Sequence, residues 1–229
     1  MLFNFRLYII YYVNLTILMN KLLNDIMSND LILELILDFF TKIYIIYSMT
    51  RENALKLLRE KLKNKNLFKH CLATEACLKE LAERFEADKD TWALAGLLHD
   101  IDYEETNADP IRHGLVGAEY LEKTGLDSTI VTAVKVHSGH LPAESKLDWA
   151  LFSADPLTGL IVASALMHPD KSLKSLNTDF VLRRFKEKRF AAGANREQIS
   201  TCKNLGLELN EFIEICLRGM QKISEELGL

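Results

Sequence analysis

No stretch of this chain alternates apolar and polar residues for long enough to make a strand. From residue 50 onward its apolar residues recur instead at helical spacing, one run after another. In 67–85 the repeat is carried by Thr74, Cys77, Leu78, Leu81 and Phe85, with His70 on the same stripe. The next run passes through Trp92, Leu94, Ala95 and Leu98 to His99, with Asp88 or Asp90 placed to cap it. Thr50 is an N-cap for a helix over 53–63. Asp109-Pro110 pairs a cap with a proline at the first helical position, which predicts a helix over 110–123 closed by Gly125. Asp127 caps a run through Ile130, Val131 and Val134 to His137. Ser145 precedes another over 149–154, and Pro156 starts or kinks a helix over 157–167. Asn177 or Thr178, Asn195 and Asn210 read as three further caps, with Gly206 and Gly228 as stops. These signals together specify one all-α domain.

Residues 1–48 stand apart, because they contain no Ala, Gly, Pro, His or Cys. Three readings of them are open. The apolar run 7–19 reads as a membrane anchor, although it falls short of the roughly 18 residues that a span needs. Residues 31–47 read as an amphipathic partner helix, with Glu34, Asp38 and Lys42 on one face. Or residues 1–48 lie outside the natural product, since A/T-rich codons encode the residues favoured there and Met49 opens a well-capped helix. The domain proper is therefore taken as 49–229. A formal charge of −4 argues against a nucleic-acid coat protein and leaves room for a local basic pocket. The four cysteines form no C-x-x-C pair and read as small core residues in a reducing, cytoplasmic setting. No membrane or nucleic-acid partner is expected beyond the anchor reading of 1–48. Glu75 and Glu80 read as surface residues, and Trp92 and Trp149 as core.

All six histidines follow Met49, and their placement carries the chemistry. His70 sits mid-helix, His99-Asp100 sits where a helix ends, and Asp155 lies on a later helix. Neighbouring helical residues point about 100° apart, so a His-Asp pair serves one ion best at a helix terminus, where the backbone opens. Two imidazoles and two carboxylates make a borderline-hard site that suits Mn²⁺, Fe²⁺, Co²⁺ or Mg²⁺ better than Zn²⁺. Four protein ligands on an octahedral ion leave about two positions for water and substrate, the arrangement that metal-assisted hydrolysis needs.

The order His70, His99-Asp100, Asp155, with Leu97-Leu98-His99-Asp100-Ile101-Asp102 at its centre, resembles the HD superfamily of metal-dependent phosphohydrolases over roughly 67–167. The stretches Asp155-Pro156-Leu157-Thr158-Gly159-Leu160-Ile161 and Phe190-Ala191-Ala192-Gly193 resemble one branch of it, known as a sequence type without a settled substrate. The resemblance implies an HD-domain helical bundle with His70, His99, Asp100 and Asp155 as metal ligands. It also implies a possible second ion, with Asp100 bridging and His113 and His137 completing it. Many relatives read H-D-I-G-K where this chain has His99-Asp100-Ile101-Asp102-Tyr103, so a lysine is absent and an acid stands in its neighbourhood. Asp102 or Glu104 is then placed to orient a ligand histidine or to bind water.

The implied activity is hydrolysis of a phosphoester or phosphoanhydride of a small molecule, most plausibly a nucleotide. Asp100, His113 and His137 are its candidate catalytic side chains, the histidines as acids toward the leaving oxygen if they do not bind metal. Two other uses of the same site are a di-iron oxygenase and a non-catalytic nucleotide-binding regulatory module. The basic stretch 183–189 reads either as a solvated helix face or as a phosphate-binding element, with Lys171, Lys174 and Arg189 as candidate substrate contacts. His140, in a loop, and His168, at a helix end, read as structural.

Overall fold

Helices in this chain begin where a short polar side chain can take the N–H groups that the first turn leaves without partners. The computed structural model describes Lys21 and residues 49–229. Its α-helices in 49–229 are α1 (Arg51–Lys61), α2 (Lys65–Arg84), α3 (Lys89–Leu98), α4 (Tyr103–Thr106), α5 (Leu115–Lys123), α6 (Ser128–His137), α7 (Lys146–Met167), α8 (Thr178–Lys186), α9 (Arg196–Ser200), α10 (Leu209–Lys222) and α11 (Ser224–Leu227). Two 3₁₀ turns, Leu173–Ser175 and Thr201–Leu205, join the later ones, and no strand occurs among the described residues. Thr50, Asn64, Asp88, Asp127, Asn177 and Asn195 each accept a backbone N–H at the start of a helix. Ser145 and Asp148 form a reciprocal capping box at α7. Residues 49–229 make one compact unit. The readings of 1–48 as anchor, partner helix or non-native segment lie outside the described residues.

Helix α2 is the hub. Its buried face, including Cys71, Leu72, Cys77, Leu78 and Leu81, packs against α3, α7 and α10. Helix α7 packs against α2, α6, α8 and α9. By length and composition α7 is apolar enough to cross a membrane, yet 56% of its most apolar window is buried inside this unit, as expected of a core helix. Cys71, Cys77, Cys202 and Cys216 are all buried thiols. Trp92 is buried, and Trp149 is half-buried against the same core.

Several sequence expectations need correction. Helix α5 starts at Leu115 rather than at Pro110; residues 110–114 form turns, and Gly114 adopts φ +80 immediately before the helix. Asn210 lies inside α10, whose N-cap position is held by Glu208. Of the two readings of Pro156, as a helix start or a kink, the start is overturned: α7 runs continuously through it. A proline there cannot donate to the carbonyl four residues back. That carbonyl, of Phe152, instead accepts the Gln198 side-chain amide from α9 at 2.8 Å. Glu75 and Glu80 are buried, not superficial. Glu75 is held by the Arg51 guanidinium, and Glu80 by Arg218 at 2.8 Å and Lys222 at 2.5 Å.

The α2–α3 crossing is close because Gly96 has no side chain. A Cβ there would stand 2.8 Å from the Thr74 carbonyl oxygen and the Glu75 amide nitrogen, both backbone. Gly159, on α7, has nothing within 4 Å of the same position. The two are expected to respond to alanine with opposite signs. Gly159→Ala should gain about 0.5–1 kcal/mol from reduced unfolded-state freedom. Gly96→Ala should lose about 1–3 kcal/mol, since backbone cannot yield as a side-chain tip can. Denaturant unfolding of both variants reads the two signs directly.

Candidate metal centre

His70 projects from the middle of α2. His99 caps α3 while still in helical conformation, and Asp100 follows in a turn tightened by i→i−3 bonds: Ile101 N–H to Leu98 O at 3.2 Å and Tyr103 N–H to Asp100 O at 2.9 Å. Buried Ile101 anchors that turn. This is how two consecutive residues come to face one point. Asp155 sits in α7 one residue before Pro156. His113 lies in the turn that replaces the expected helix start, and His137 is the last residue of α6.

These six side chains meet as two clusters that share one carboxylate. In the first, His70 Nε2 is 3.1 Å from His99 Nε2, 3.1 Å from Asp155 Oδ1 and 3.5 Å from Asp100 Oδ2. His99 Nε2 is 3.5 Å from Asp100 Oδ2 and 3.8 Å from Asp155 Oδ1. In the second, Asp100 Oδ1 is 3.3 Å from His113 Nε2 and 3.4 Å from His137 Nε2, and the two ring nitrogens lie 3.2 Å apart. Adjacent donors on an octahedral ion with bonds of about 2.1–2.2 Å stand about 3.0–3.1 Å apart. The observed spacings approach that edge length. His70, His99 and Asp100 form one group able to hold an ion, and Asp100, His113 and His137 another.

The far nitrogen of every ring is already engaged. His99 Nδ1 donates to Gly96 O at 2.8 Å, His137 Nδ1 to Val134 O at 2.5 Å, and His113 Nδ1 to Asp102 Oδ1 at 2.8 Å. Thr158 Oγ1 gives its proton to Asp155 O at 2.8 Å, so its oxygen accepts from His70 Nδ1 at 3.0 Å. Each proton is thereby placed on Nδ1, and each Nε2 is turned toward the shared carboxylate. That is the arrangement of ligand histidines, and the donor set fits one or two divalent cations.

Charge follows from the same contacts. Burial disfavours a cation at His99 and at His113. Asp100 and Asp155 outweigh that for His99, whose pKa is raised to about 9; Asp100 and Asp102 do so for His113, raised to about 10. Burial likewise opposes charge on Asp100 and Asp155, but the facing imidazoles hold both carboxyls below their ordinary range.

Asp102 is the residue that sequence reasoning left with two candidates, and the structure separates them. Its Oδ1 takes His113 Nδ1, while its Oδ2 accepts the N–H groups of Gly114 at 2.8 Å and Gly117 at 2.7 Å. Gly114 has no capping side chain, so a buried carboxylate from another turn caps α5 and orients His113 together. Glu104 instead accepts Lys63 N–H at 3.0 Å and the neighbouring Asn64 N–H, holding the turn between α1 and α2. Asp102→Asn is expected to keep the fold and to weaken the second ion about 10–100-fold. Metal analysis under limiting supply should then find less metal per chain than in the parent.

His140 donates to the His113 carbonyl at 2.9 Å, which fixes the turn carrying that ligand. His168 caps the end of α7, as expected of a structural residue. Lys171, Lys174 and Arg189 do not line the cavities beside His70. Lys171 adopts φ 50 on the surface, Lys174 faces Glu225 at 3.5 Å, and Arg189 is exposed. Thr158, which orients His70, went unread as a site residue although it lies within the stretch 155–161 that resembles the family. So did Gly96 O and Val134 O, which no side-chain pattern reveals.

The described residues thus form an all-helical unit in which two histidine–carboxylate clusters share an aspartate, a donor set of the class that holds divalent cations. Residues 67–170 match the family model described as HD domain. An uncharacterized protein of Methanocaldococcus jannaschii is 31% identical over 175 residues, which cover 72% of this chain and 100% of that relative. No solved structure matches this chain. The chain belongs to the HD domain family, whose members are generally metal-dependent hydrolases.

Proposed function

We propose that this protein hydrolyses a phosphoester or phosphoanhydride of a small molecule, a nucleotide being what the sequence resemblance suggests. The observation that carries the reading is the shared Asp100, with one oxygen in each cluster and all four imidazoles turned to present Nε2. His70, His99, Asp100 and Asp155 would hold one divalent ion, and Asp100, His113 and His137 would hold a second. The bound metal supplies an acidified water and charge neutralisation at phosphorus. A cavity of about 390 Å³ opens on the first cluster, lined by His70, Asp155, Pro156, Gly159 and the loop 191–194. It gives the phosphoryl group a way to the open side of that cluster. Half-buried Asp155 faces this cavity, so its carboxylate lies on the side from which a substrate enters. With a single ion bound, His113 and His137 stand where they can protonate the leaving oxygen.

The test is a screen of metal-loaded protein, with Mn²⁺, Co²⁺ and anaerobic Fe²⁺ in separate arms, against phosphomonoesters, phosphodiesters and pyrophosphate. Phosphate release that stops on chelation supports the reading. Release that survives chelation, or none under any metal, overturns it.

A further inference from the structure

A second cavity, of about 490 Å³, rises from the same metal centre between α2 and α7. Its floor is His70 and Thr158, the ligand and the hydroxyl that orients it. Along α2 the wall continues through Ala73, Lys69 and Asn66, at helical spacing on the His70 face; along α7 it continues through Gly159, Val162 and Leu166. The C-terminal residues 227–229 close the far side, tied down by Lys69 Nζ, which donates to Leu227 O at 2.6 Å. Gly159 and His70 belong to both this cavity and the one beside Asp155. Leu166 is 52% exposed and adds solvent-facing aliphatic carbon to this wall.

Most of the side chains that line this cavity are aliphatic, from Ala73, Val162, Leu166, Leu227 and Leu229, and among the described lining residues none is Phe, Tyr, Trp, Asp or Glu. A nucleobase is held chiefly by stacking on a ring face; the one ring here is the His70 imidazole, whose two nitrogens are both engaged, and the polar lining groups are Asn66, Thr158 and Lys69, whose ammonium is tied to Leu227 O. We infer that the cavity is the subsite for the organic half of the substrate, and that this half is an aliphatic alcohol rather than a nucleoside. The inference rests on the metal-phosphate reading above and sets aside the nucleotide that the sequence resemblance suggests. Gly159 is the specificity-determining position, because the open space at its Cβ joins the two cavities.

The experiment measures calorimetric affinities of Mn²⁺-loaded protein for methylphosphonate, hexylphosphonate and an adenosine phosphonate, none of which can turn over. Hexylphosphonate is expected to bind at least about tenfold tighter than methylphosphonate, because its chain leaves water for the aliphatic wall. It should also outbind the adenosine compound. Gly159→Phe, placed where no atom stands within 4 Å of a Cβ, should fold normally and reduce the hexyl-to-methyl ratio at least about fivefold. Methylphosphonate binding with no hexyl advantage, an unchanged ratio in Gly159→Phe, or tighter binding of the adenosine compound overturns the subsite while leaving the metal reading intact. Failure of all three to bind overturns the metal-phosphate reading and the subsite with it.

Discussion

Asp100→Ala is expected to abolish phosphate release and to strip the centre of metal, because it removes the only side chain with an oxygen in each cluster. Loss of a single preorganised group at a reacting centre commonly costs about a hundred- to a thousandfold. Here one substitution disrupts both ion sites, so a decrease beyond a thousandfold is expected. The variant also alters the metal-free protein. With the carboxylate gone, the largest influence that holds protons on His99 is lost, and burial then favours its neutral ring. The fold itself should survive, since the core clusters around α2 and α7 do not use Asp100. Phosphate release, metal content and circular dichroism on one sample check all three statements. A folded, fully active Asp100→Ala protein would exclude the mechanism.

The second large effect is on metal affinity as pH changes. At pH 7 the metal-free protein carries protons on His99 and His113, whose pKa values are raised to about 9 and about 10. A metal ion needs neutral rings, so binding must expel about two protons. The apparent binding constant should therefore climb by about two decades per pH unit near neutrality and level off as pH passes 9 to 10. The metal-free fold has the opposite trend. Both pKa values are raised above the unfolded value, so the stability they contribute is complete below about pH 6.5 and is lost as pH rises through 9 and 10. Metal-loaded protein should lack that alkaline loss. Calorimetric titration in buffers of different ionisation enthalpy counts the protons. A count near zero at pH 7 would show that the imidazoles are neutral before metal arrives.

The fold was legible because its signals are local. Thr50, Asp88, Asp127, Ser145, Asn177 and Asn195 announce helix starts through side chains that need only their own next turn. The clustered side chains were legible because the order of His70, His99-Asp100 and Asp155 is distinctive, and the structure brings them within reach of one another together with His113 and His137. What escaped depends on partners distant in sequence. Helix α5 starts late because Asp102, from another turn, supplies the cap that Asp109-Pro110 seemed to offer. Helix α7 continues through Pro156 because Gln198 takes the carbonyl that the proline leaves unpaired. Glu75 and Glu80 read as surface residues because nothing nearby in sequence reveals Arg51, Arg218 or Lys222 as their partners. The orienting contacts of the histidines are mostly backbone carbonyls, which carry no residue signature.

The most direct test of the account is anomalous diffraction from crystals grown with Mn²⁺. The structure predicts two peaks: one among His70 Nε2, His99 Nε2, Asp155 and Asp100 Oδ2, the other among His113 Nε2, His137 Nε2 and Asp100 Oδ1. Absence of anomalous density at Asp100 in protein shown to have taken up manganese would contradict it.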